Sequence, residues 1–390
     1  MRDLFLLDPD TIFLNHGSFG ACPKPVFEQY QRWQLELERN PVAFLGRRSG
    51  ALLAQARARL AGHLHVQADD LAFLPNATTG VNIVARSLAL QPGDEVLATD
   101  HEYGACEAAW RFVCERAGAT YRRVPVPLPF EPETFTSRLM QAAGPRTKLI
   151  FASHISSTTA LVFPVAALCA QAREAGITTL IDGAHAPGQI DLDLAAVGAD
   201  FYTGNCHKWL CAPKGSAFLH ARPERQADLH ATVVSWGYLA AELGATSMGG
   251  HTGFDAYVGS TLLERRLQWQ GTRDLSAFLS VPAAIDFQAA HDWPRHRQRC
   301  RAMAQATQAA VLAGNGLAPI AEAGSLAQMV PIPVRASDAD ALRRHLYEQH
   351  RIEVPVTQHG THRFVRLSVQ AYNTQAELDA LVSALRGAGV

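Results

Sequence analysis

The middle of the sequence alternates short apolar runs with longer helix-like stretches, and this alternation limits the possible folds more than any other feature. The runs typical of strands lie at 71–75, 94–99, 120–126, 148–153, 178–182 and 200–204. Strands that are separated by helices pair in parallel through crossover connections, so the pattern predicts a sheet covered by helices. A seventh run, at 215–220, follows a short connection and is expected to join the sheet antiparallel. The sequence therefore predicts an α/β fold with a mostly parallel, seven-stranded sheet.

The composition is that of a globular chain with no general affinity for polyanions. With 390 residues, of which 48% are hydrophobic and 18% charged, the chain can bury a large core and divide into two domains. Lys and Arg number 35 against 36 Asp and Glu, so the formal net charge is -1. Such a balance predicts no binding to nucleic acid or to an anionic membrane. No apolar stretch reaches the ~18 residues of a membrane-spanning helix, and we expect a cytoplasmic protein.

The cysteines and histidines do not form a recognisable disulfide or metal pattern. The 7 cysteines are odd in number and scattered, and none forms a CxxC pair. This distribution favours reduced thiols. Among the 16 histidines, the close pairs His63 with His65 and His359 with His362 lack a thiolate or carboxylate set at ligand spacing, and HExxH is absent. We therefore expect no metal.

A second, smaller domain is expected from about residue 276, where a long helical stretch begins. That stretch ends in AGNGLAP, whose glycines and proline terminate a helix. The strand-like runs MVPIPV and FVRLSVQ then lie among helical segments at 337–350 and 374–387, which is typical of an α+β domain. The expected boundaries are an amino-terminal segment that packs with the small domain, a large domain and the small domain, at 1–20, 21–275 and 276–390.

Two polar groups at neighbouring strand ends indicate the chemistry. Asp182 ends the apolar run TTLID, and Lys208 follows the next run, DFYTG, within NCHKWLCAPKG. In an open α/β sheet, ligands bind at the carboxyl ends of the strands. A lysine in apolar surroundings has a lowered pKa, and its neutral amine is the nucleophile that a Schiff base requires. A strand-end aspartate and lysine together indicate pyridoxal 5'-phosphate.

This cofactor needs both groups. Asp182 would accept a hydrogen bond from the protonated pyridine nitrogen and so keep the ring able to take up electrons, while Lys208 would hold the cofactor covalently and move protons. Taken singly, Asp182 is also explained as a helix N-cap, and Lys208 as a solvated lysine whose stem covers Trp209. Their occurrence together, in this order, favours the cofactor.

A phosphate anchor is expected where the first strand leads into a helix. The segment NATTG at 76–80 directly follows LAFLP and opens a helical pattern. The backbone amides from Ala77 onward, with the hydroxyls of Thr78 and Thr79, can bind a dianion there, although a simple threonine N-cap is the alternative. A further strand end reads TDHEYGA, where the ring of His101 or Tyr103 could cover the face of the cofactor; ordinary packing is the alternative.

Several motifs resemble those of one enzyme family. They are FLNHGSFG near the start, PNATTG, DHEYGA, DGAHAPG, TGNCHKW, QGTRD at 270–274 and VRLSVQAYNT near the end. The set covers nearly the whole chain and is similar to that of class V aminotransferase-fold enzymes, and among them to the isopenicillin N epimerase-like branch. The resemblance implies the type I fold of pyridoxal-phosphate-dependent transferases, with a mostly parallel sheet in a large domain and a smaller α+β carboxyl-terminal domain.

The resemblance also implies which residues bind the cofactor. Lys208 matches the lysine that forms the covalent link, and Asp182 matches the partner of the pyridine nitrogen. His185 matches a residue beside the ring, and Gln189 matches a neighbour of the phenolic oxygen. Contacts to the phosphate are implied for Thr78 and His207.

Further matches concern the partner subunit and the substrate. Thr272 in QGTRD matches a position that reaches the phosphate from a second subunit, which implies a homodimer with a shared active site. Arg366 in VRLSVQ matches an arginine that binds the α-carboxylate of the substrate, a task suited to the bidentate guanidinium. Asn15 and His16 match an amino-terminal segment that folds over the substrate.

The expected substrate is an amino acid or an amino-acid-derived compound, and three reactions stay open. Lys208 can return a proton to the α-carbon, deliver it to the cofactor, or stand by while a β-substituent leaves; the outcomes are epimerisation, transamination and C–S lysis. We place epimerase-like or aminotransferase-like activity first and a C–S lyase second. The cysteine desulfurases of this fold carry a nucleophilic cysteine that the stretch APIAEAGSLAQMV lacks. A catalytically silent binding protein is the remaining alternative.

Overall fold

The computed structural model describes residues 1–238 and 255–390, and one seven-stranded sheet dominates it. After the short strand β1 (Ile12–Phe13), this sheet contains β2 (Leu71–Leu74), β3 (Glu95–Thr99), β4 (Thr120–Val124), β5 (Thr147–Ser153), β6 (Thr178–Asp182), β7 (Phe201–Asn205) and β8 (Ala217–Ala221). Their order in space is β2-β8-β7-β6-β5-β3-β4. Only β8 runs antiparallel to its neighbours among these described strands. The prediction of a mostly parallel sheet with an antiparallel strand at 215–220 is confirmed.

Helices cover the sheet and continue into the carboxyl-terminal part of the chain. The longer described helices are Lys24–Arg39, Ser49–Leu64, Ala77–Ser87, Gly104–Ala117, Pro132–Ala142, Val165–Glu174, Val281–Ala290, Trp293–Asn315, Ala339–His350 and Gln375–Gly387. Shorter helical segments lie at Arg2–Leu4, His16–Phe19, Pro41–Ala43, Phe44–Arg48, Ala68–Asp70, Leu194–Val197, Pro223–Asp228, Asp255–Val258, Glu264–Gln268, Ser276–Leu279 and Ala323–Ser325. None of the helices described in the two ranges combines the length and apolar character needed to cross a membrane.

The strands of the large sheet are buried on both faces, which explains why they read as continuous apolar runs. In β5, for example, Ile150 belongs to one apolar cluster and Leu149 to another, because successive side chains point to opposite faces. The first cluster packs against helices such as Val165–Glu174, and the second against Ala77–Ser87 and Gly104–Ala117. The result is a layer of helices on each side of a fixed sheet.

The register of the parallel strands brings several polar side chains to one edge. Ser153 at the end of β5 pairs with Asp182 at the end of β6, and Asp182 pairs with Thr203 in β7. Asn205 ends β7, two residues further on. Because parallel strands end at the same edge of a sheet, this edge is where a ligand is expected to bind.

A second, smaller sheet lies in the carboxyl-terminal part of the chain. It contains β9 (Met329–Pro333), β11 (Val356–His359) and β12 (His362–Ser368), in the antiparallel order β11-β12-β9, while β10 (Ile352–Glu353) pairs in parallel with β1. The Ser368 amide donates to the Leu14 carbonyl over 3.0 Å, which ties the amino terminus to this sheet. We propose that the division into 1–20, 21–275 and 276–390 follows these two sheets.

A buried ion pair fixes the segment that precedes QGTRD against the large sheet. Arg57, on helix Ser49–Leu64, donates to Glu264, and the two side chains are 3% and 0% exposed. Burial is the largest influence and acts to raise the pKa of Glu264, but the charge of Arg57 and the hydrogen bonds from Arg57, Thr261 and Ser260 together outweigh it, so the pKa is lowered. Glu264 also accepts hydrogen bonds from the amides of Ser260 and Thr261, at 2.9 and 3.0 Å.

Removing one member of this pair should destabilise the fold strongly. Arg57→Met leaves the Glu264 charge buried and unpaired, and we expect a loss of about 3 to 5 kcal/mol in the free energy of unfolding, measured by urea denaturation. The double variant Arg57→Met with Glu264→Gln removes the charge, keeps an oxygen for the two amides and should recover most of the loss. Arg343→Met, at the exposed pair with Asp340, is the control and should cost about 1 kcal/mol or less. Equal losses at both sites would contradict this account.

Candidate active site

A cavity of about 250 Å³ lies at the carboxyl edge of the seven-stranded sheet. Loops that follow β2, β5, β6 and β7 form its walls, and Asp182 and Lys208 both line it. A larger cavity of about 900 Å³ lies at the opposite edge, where Lys148 and Arg225 line it. Those two side chains form ion pairs with surface carboxylates, so we place the chemistry in the smaller cavity.

Lys208 presents a buried amino group with weakened affinity for a proton. It lies in the loop after β7, and its Nζ is 3.2 Å from Nε2 of His185. Burial, and then the positive charge of Arg366, lower the pKa of Lys208 to about 8, against the opposing charge of Asp182. A substantial fraction of the amine is therefore neutral near physiological pH, as a nucleophile requires.

The protonation of His185 follows from its two hydrogen bonds. The indole Nε1 of Trp209 donates to Nδ1 of His185 over 3.3 Å, so Nδ1 carries no proton. Burial, followed by the charges of Lys208 and Arg366, lowers the pKa of His185 far below its usual value. The neutral ring therefore carries its proton on Nε2 and donates it to the amine of Lys208. This hydrogen bond favours the neutral form of the lysine.

Asp182 is a buried carboxyl group with few hydrogen-bond donors. It is 3% exposed; its Oδ1 accepts the Ala184 amide over 2.8 Å, and the Cys106 thiol lies 3.5 Å from Oδ2. Burial raises the pKa of Asp182, while the Ala184 bond and the charge of Lys208 act in the opposite direction. A carboxylate with so few donors binds a positively charged N–H strongly.

The start of helix Ala77–Ser87 forms one wall of the cavity. Asn76 caps this helix, and its Oδ1 accepts both the amide and the hydroxyl of Thr79, at 2.8 and 3.0 Å. Thr79 therefore serves the cap and does not line the cavity, whereas Ala77 and Thr78 do. The amide of Ala77 donates to Oδ1 of Asn205 over 2.8 Å, which joins this wall to the end of β7.

His207 lines the cavity beside this helix start. Its Nδ1 donates to the Ser216 carbonyl over 2.9 Å, and its Nε2 is thereby left for an anion or a proton. Burial lowers the pKa of His207 to about 4, with smaller contributions from Lys208 and Lys214. An anion bound here would reverse part of that shift, because a negative charge stabilises the imidazolium.

Arg366 is a buried guanidinium without an anionic partner among the described residues. It lies on β12 and is 5% exposed. Its Nη1 donates to the Ser157 carbonyl over 2.5 Å, its Nη2 donates to the Ser18 hydroxyl over 2.9 Å, and its Nε has no partner. Both serines line the cavity. Burial lowers the pKa of Arg366 to about 10, so the site holds a desolvated positive charge that an anionic ligand would neutralise.

The two rings considered from the sequence as a cover for the cofactor lie in different places. Tyr103 lines the cavity and is 47% exposed. His101 is buried, with Nδ1 2.8 Å from the Thr159 hydroxyl and Nε2 donating to the Val126 carbonyl over 2.9 Å. His101 therefore supports the loop, and Tyr103 is the ring available to the cavity.

The amino-terminal residues Asn15 and His16 lie behind the cavity. His16 Nε2 donates to the Lys208 carbonyl over 3.1 Å, and Asn15 accepts the Ser18 hydroxyl over 2.6 Å. Neither residue lines the cavity, whereas Ser18 and Phe19, which follow them, do. The amino-terminal segment approaches the site, as the sequence suggests, but the residues that line the cavity are Ser18 and Phe19 rather than Asn15 and His16.

Gln189, Thr272 and Lys214 also lie outside the cavity lining. Gln189 is buried and its amide nitrogen donates to the His185 carbonyl over 2.7 Å, so it holds the loop that carries His185. Thr272 is exposed within this chain. Lys214, which follows Lys208 by six residues, donates to the Gly20 carbonyl over 3.0 Å. Of these two lysines, Lys208 is therefore the one that lines the cavity.

One group of potential metal ligands occurs in the described residues, where the sequence predicted none. Asp100, His101 and His359 have ligand atoms within 4.8 Å of one another. The rings of His101 and His359 are stacked, with centroids 3.9 Å apart, and both ring nitrogens of His101 have hydrogen-bond partners. His101 would therefore have to give up one of these hydrogen bonds to bind a metal ion.

Sequence reasoning did not identify Ser18, Phe19, Ser153, Ser157 and Asn205, all of which line the cavity. Ser153 and Asn205 end β5 and β7, so a systematic reading of strand ends would have found them. Ser157 and Ser18 orient Arg366 from two distant parts of the chain, and no local pattern indicates that contact.

Comparison with known proteins agrees with this architecture. Residues 20–381 match the model of the family described as aminotransferase class V. The isopenicillin N epimerase of Streptomyces clavuligerus is 40% identical over 98% of this chain and 96% of its own length. A probable chloroplastic L-cysteine desulfhydrase of Arabidopsis thaliana is 29% identical over 97% of this chain and 83% of its own length.

A solved structure shows the same fold at lower sequence similarity. The cysteine desulfurase CsdA from Escherichia coli superposes with a TM-score of 0.79 at 20% identity, covering 99% of this chain and 97% of that chain. The predicted type I fold and the predicted family are thereby confirmed. The chain belongs to the aminotransferase class V family of pyridoxal-phosphate-dependent enzymes.

Proposed function

We propose that the protein acts at the α-carbon of an amino acid or an amino-acid-derived substrate, with isopenicillin N epimerase-like or aminotransferase-like chemistry. The observation that carries this proposal is that a lysine able to lose its proton, Lys208, and a buried aspartate, Asp182, line one cavity, while the guanidinium of Arg366 is bound directly behind two serines that also line it. The epimerase relative, at 40% identity over nearly the whole chain, supports the same reaction class.

The residues present fit pyridoxal 5'-phosphate. Asp182 offers a buried carboxylate with a free lone pair for a protonated ring nitrogen, and Thr78 and His207 lie where a helix start can bind a phosphate. Tyr103 offers an exposed ring at the cavity. When bound, the cofactor supplies an electron sink that stabilises negative charge on the α-carbon of the substrate.

Lys208 supplies the covalent link and then the proton transfer. Its amine is kept neutral by burial and by the Nε2–H of His185, so it can attack a carbonyl carbon and later accept a proton from carbon. Asp182 keeps its negative charge against the ring nitrogen. In an epimerase-like reaction, Lys208 would supply a proton to the opposite face of the α-carbon, and in a transaminase-like reaction it would deliver the proton to the bound cofactor.

Arg366 selects the substrate through its carboxylate. Nη1 donates to the carbonyl and the hydroxyl of Ser157, Nη2 donates to the Ser18 hydroxyl alone, and Nε has no partner among the described residues. A planar carboxylate can take the remaining donors as a bidentate pair. The lack of an anionic partner for Arg366 within the described ranges, 1–238 and 255–390, therefore supports an α-amino acid as substrate.

A C–S lyase is the second candidate, because the desulfhydrase relative extends over 97% of this chain. Arg366 and Lys208 would serve a cysteine-derived substrate equally well, so the distinction rests on products. Purified holoenzyme should be screened with amino acids by the change in cofactor absorbance, followed by chiral chromatography and assays for keto acid, ammonia and sulfide. Inverted amino acid or amino-group transfer supports the first candidate; sulfide release with keto acid supports the second.

A homodimer with a shared site is part of the proposal. Thr272 is exposed in one chain, and the large apolar side chain of Phe19 is 73% exposed beside the cavity. A second subunit that covers Phe19 could bring its own copy of Thr272 toward the phosphate. A cytoplasmic location is also proposed, since all seven cysteines are free, as is usual in a reducing compartment.

Borohydride reduction should attach the cofactor to Lys208 alone. The chain contains four lysines, Lys24, Lys148, Lys208 and Lys214, so peptide mapping by mass spectrometry gives an unambiguous answer. Lys208→Ala should abolish the label and the visible absorbance of the covalently bound cofactor, because it removes the nucleophile. Lys214→Ala is the matched control and should retain both. Label on Lys214 in the natural chain would overturn the assignment.

Arg366→Ala should weaken substrate binding without loss of the cofactor. Removing the guanidinium leaves the substrate carboxylate unpaired in a buried site, which typically costs about 2 to 5 kcal/mol. We expect the dissociation constant of the best substrate to rise at least about tenfold, equivalent to ~1.4 kcal/mol, when followed by cofactor absorbance. Arg363→Ala, on the same strand, is the control. An unchanged dissociation constant for Arg366→Ala would favour an amine that has no carboxylate.

A further inference from the structure

Glu102 is a second buried carboxyl group on the same side of the sheet as Asp182. It follows β3 and is 6% exposed. Its Oε1 accepts the hydroxyl of Thr99 over 2.5 Å, and its Oε2 accepts the hydroxyl of Ser153 over 2.7 Å. No described basic side chain forms an ion pair with it, so its surroundings contain hydroxyls but no compensating cation.

One hydroxyl group connects Glu102 to the cavity. Ser153 ends β5, lines the cavity and pairs in register with Asp182 at the end of β6. The negative charge of Asp182 acts on Glu102. Two further titratable groups face Glu102, namely the thiol of Cys106 and the phenol of Tyr121, and both are kept protonated by burial and by nearby negative charge. The region therefore holds two carboxyl groups with little to offset a second negative charge.

The hydrogen-bond partners and the nearby cation decide which of the two carboxyl groups keeps the negative charge. Asp182 accepts a backbone N–H from Ala184 and feels the positive charge of Lys208. Backbone amides and cations stabilise only the ionised form of a carboxyl group. Glu102 accepts the hydroxyls of Thr99 and Ser153 and a backbone hydrogen bond from Ser153, but no described cation lies beside it. The charge therefore belongs to Asp182 and the proton to Glu102.

We propose that Glu102 is a positioning residue that holds a proton while Asp182 is ionised, and that in this state a single negative charge faces the ring nitrogen of the cofactor. This inference rests on the proposed function. In the structure the Ser153 hydroxyl donates to Oε2 of Glu102. In the proposed protonated state of Glu102, the acid proton is donated to Ser153 instead, so that the Ser153 hydroxyl proton turns toward the cavity that it lines. Ionisation of Glu102 reverses that hydrogen bond and adds a second negative charge behind the ring.

The expected proton affinity of Glu102 agrees with this role. Burial raises the pKa of Glu102 to about 7, with a further rise from Asp182, although the bonds to Ser153 and Thr99 act to lower it. A carboxyl group with a raised pKa is protonated below that value and ionised above it. Glu102 therefore changes state near neutral pH, far above the range in which ordinary glutamates do so.

Infrared spectroscopy of the cofactor-free chain reads the proton on Glu102 directly. Just below pH 7, where ordinary glutamates are ionised, we expect a carbonyl band of a protonated carboxyl group that shifts when glutamate is labelled with carbon-13. The band should vanish as the pH rises above about 7. It should be absent in Glu102→Gln and present in Glu107→Gln, which removes a carboxylate from a nearby surface ion pair. A missing band in the labelled natural chain would overturn the inference, even if Glu102→Gln does not fold.

The reconstituted holoenzyme gives the second readout. In the natural chain and in Glu107→Gln, the absorbance of the bound cofactor should change with pH around 7, and Glu102→Gln should lose that change because its amide does not ionise. An identical pH dependence in Glu102→Gln would contradict the inference. Asp182→Asn tests the proposed function separately from the inference about Glu102. If the proposed function holds, this variant alters the cofactor spectrum whatever the protonation state of Glu102. An unaltered spectrum would count against the proposed function itself.

Discussion

The hydrogen bond from the indole of Trp209 to His185 sets the direction of the hydrogen bond between His185 and Lys208, the buried amine on which the site depends. It fixes the tautomer of His185, which then donates to Lys208 and favours the neutral lysine. Trp209 is itself immobilised, since its carbonyl accepts the amide of Gln288 over 2.8 Å and its ring lies 4.9 Å from that of His16. The loop after β6 approaches this backbone closely enough that only glycine fits at position 188, with φ +84°.

The charged groups at the cavity, Arg366 and Asp182, lack directly bonded partners of opposite charge among the described residues, and a ligand could supply them. Arg366 is buried with neutral partners only, and Asp182 is buried with one strong donor. Leaving such groups incompletely paired costs stability, and a bound cofactor and substrate would supply the missing charges. The serines that hold Arg366 come from the loop after β5 and from the amino terminus, so the proposed substrate site lies between β12 of the smaller sheet and the loop after β5.

Much of the fold and the centre of the site could be predicted from the sequence, because both depend on local patterns. Strands buried on two faces appear as apolar runs, and the polar residue that ends each run marks the ligand edge, as Asp182 and Lys208 show. Contacts between distant segments could not be predicted in this way. Thr79 serves the helix cap because Asn76 faces it, and Glu102 is recognisable only once Ser153 is seen between it and the cavity. Both faces of β12 are buried from Phe364 to Ser368, and Arg366 reaches the site from within the protein.

The titration of Lys208 in the cofactor-free chain tests the central claim most directly. With only four lysines, the chain can be labelled with carbon-13 at the lysine ε-carbons, and each resonance can be assigned by single Lys→Met replacements. The account predicts that Lys208 titrates at about 8 rather than at the ordinary 10.5, and that Trp209→Phe, which removes the indole N–H, moves the midpoint upward. A Lys208 resonance that titrates at the ordinary lysine value, with no response to Trp209→Phe, would contradict it.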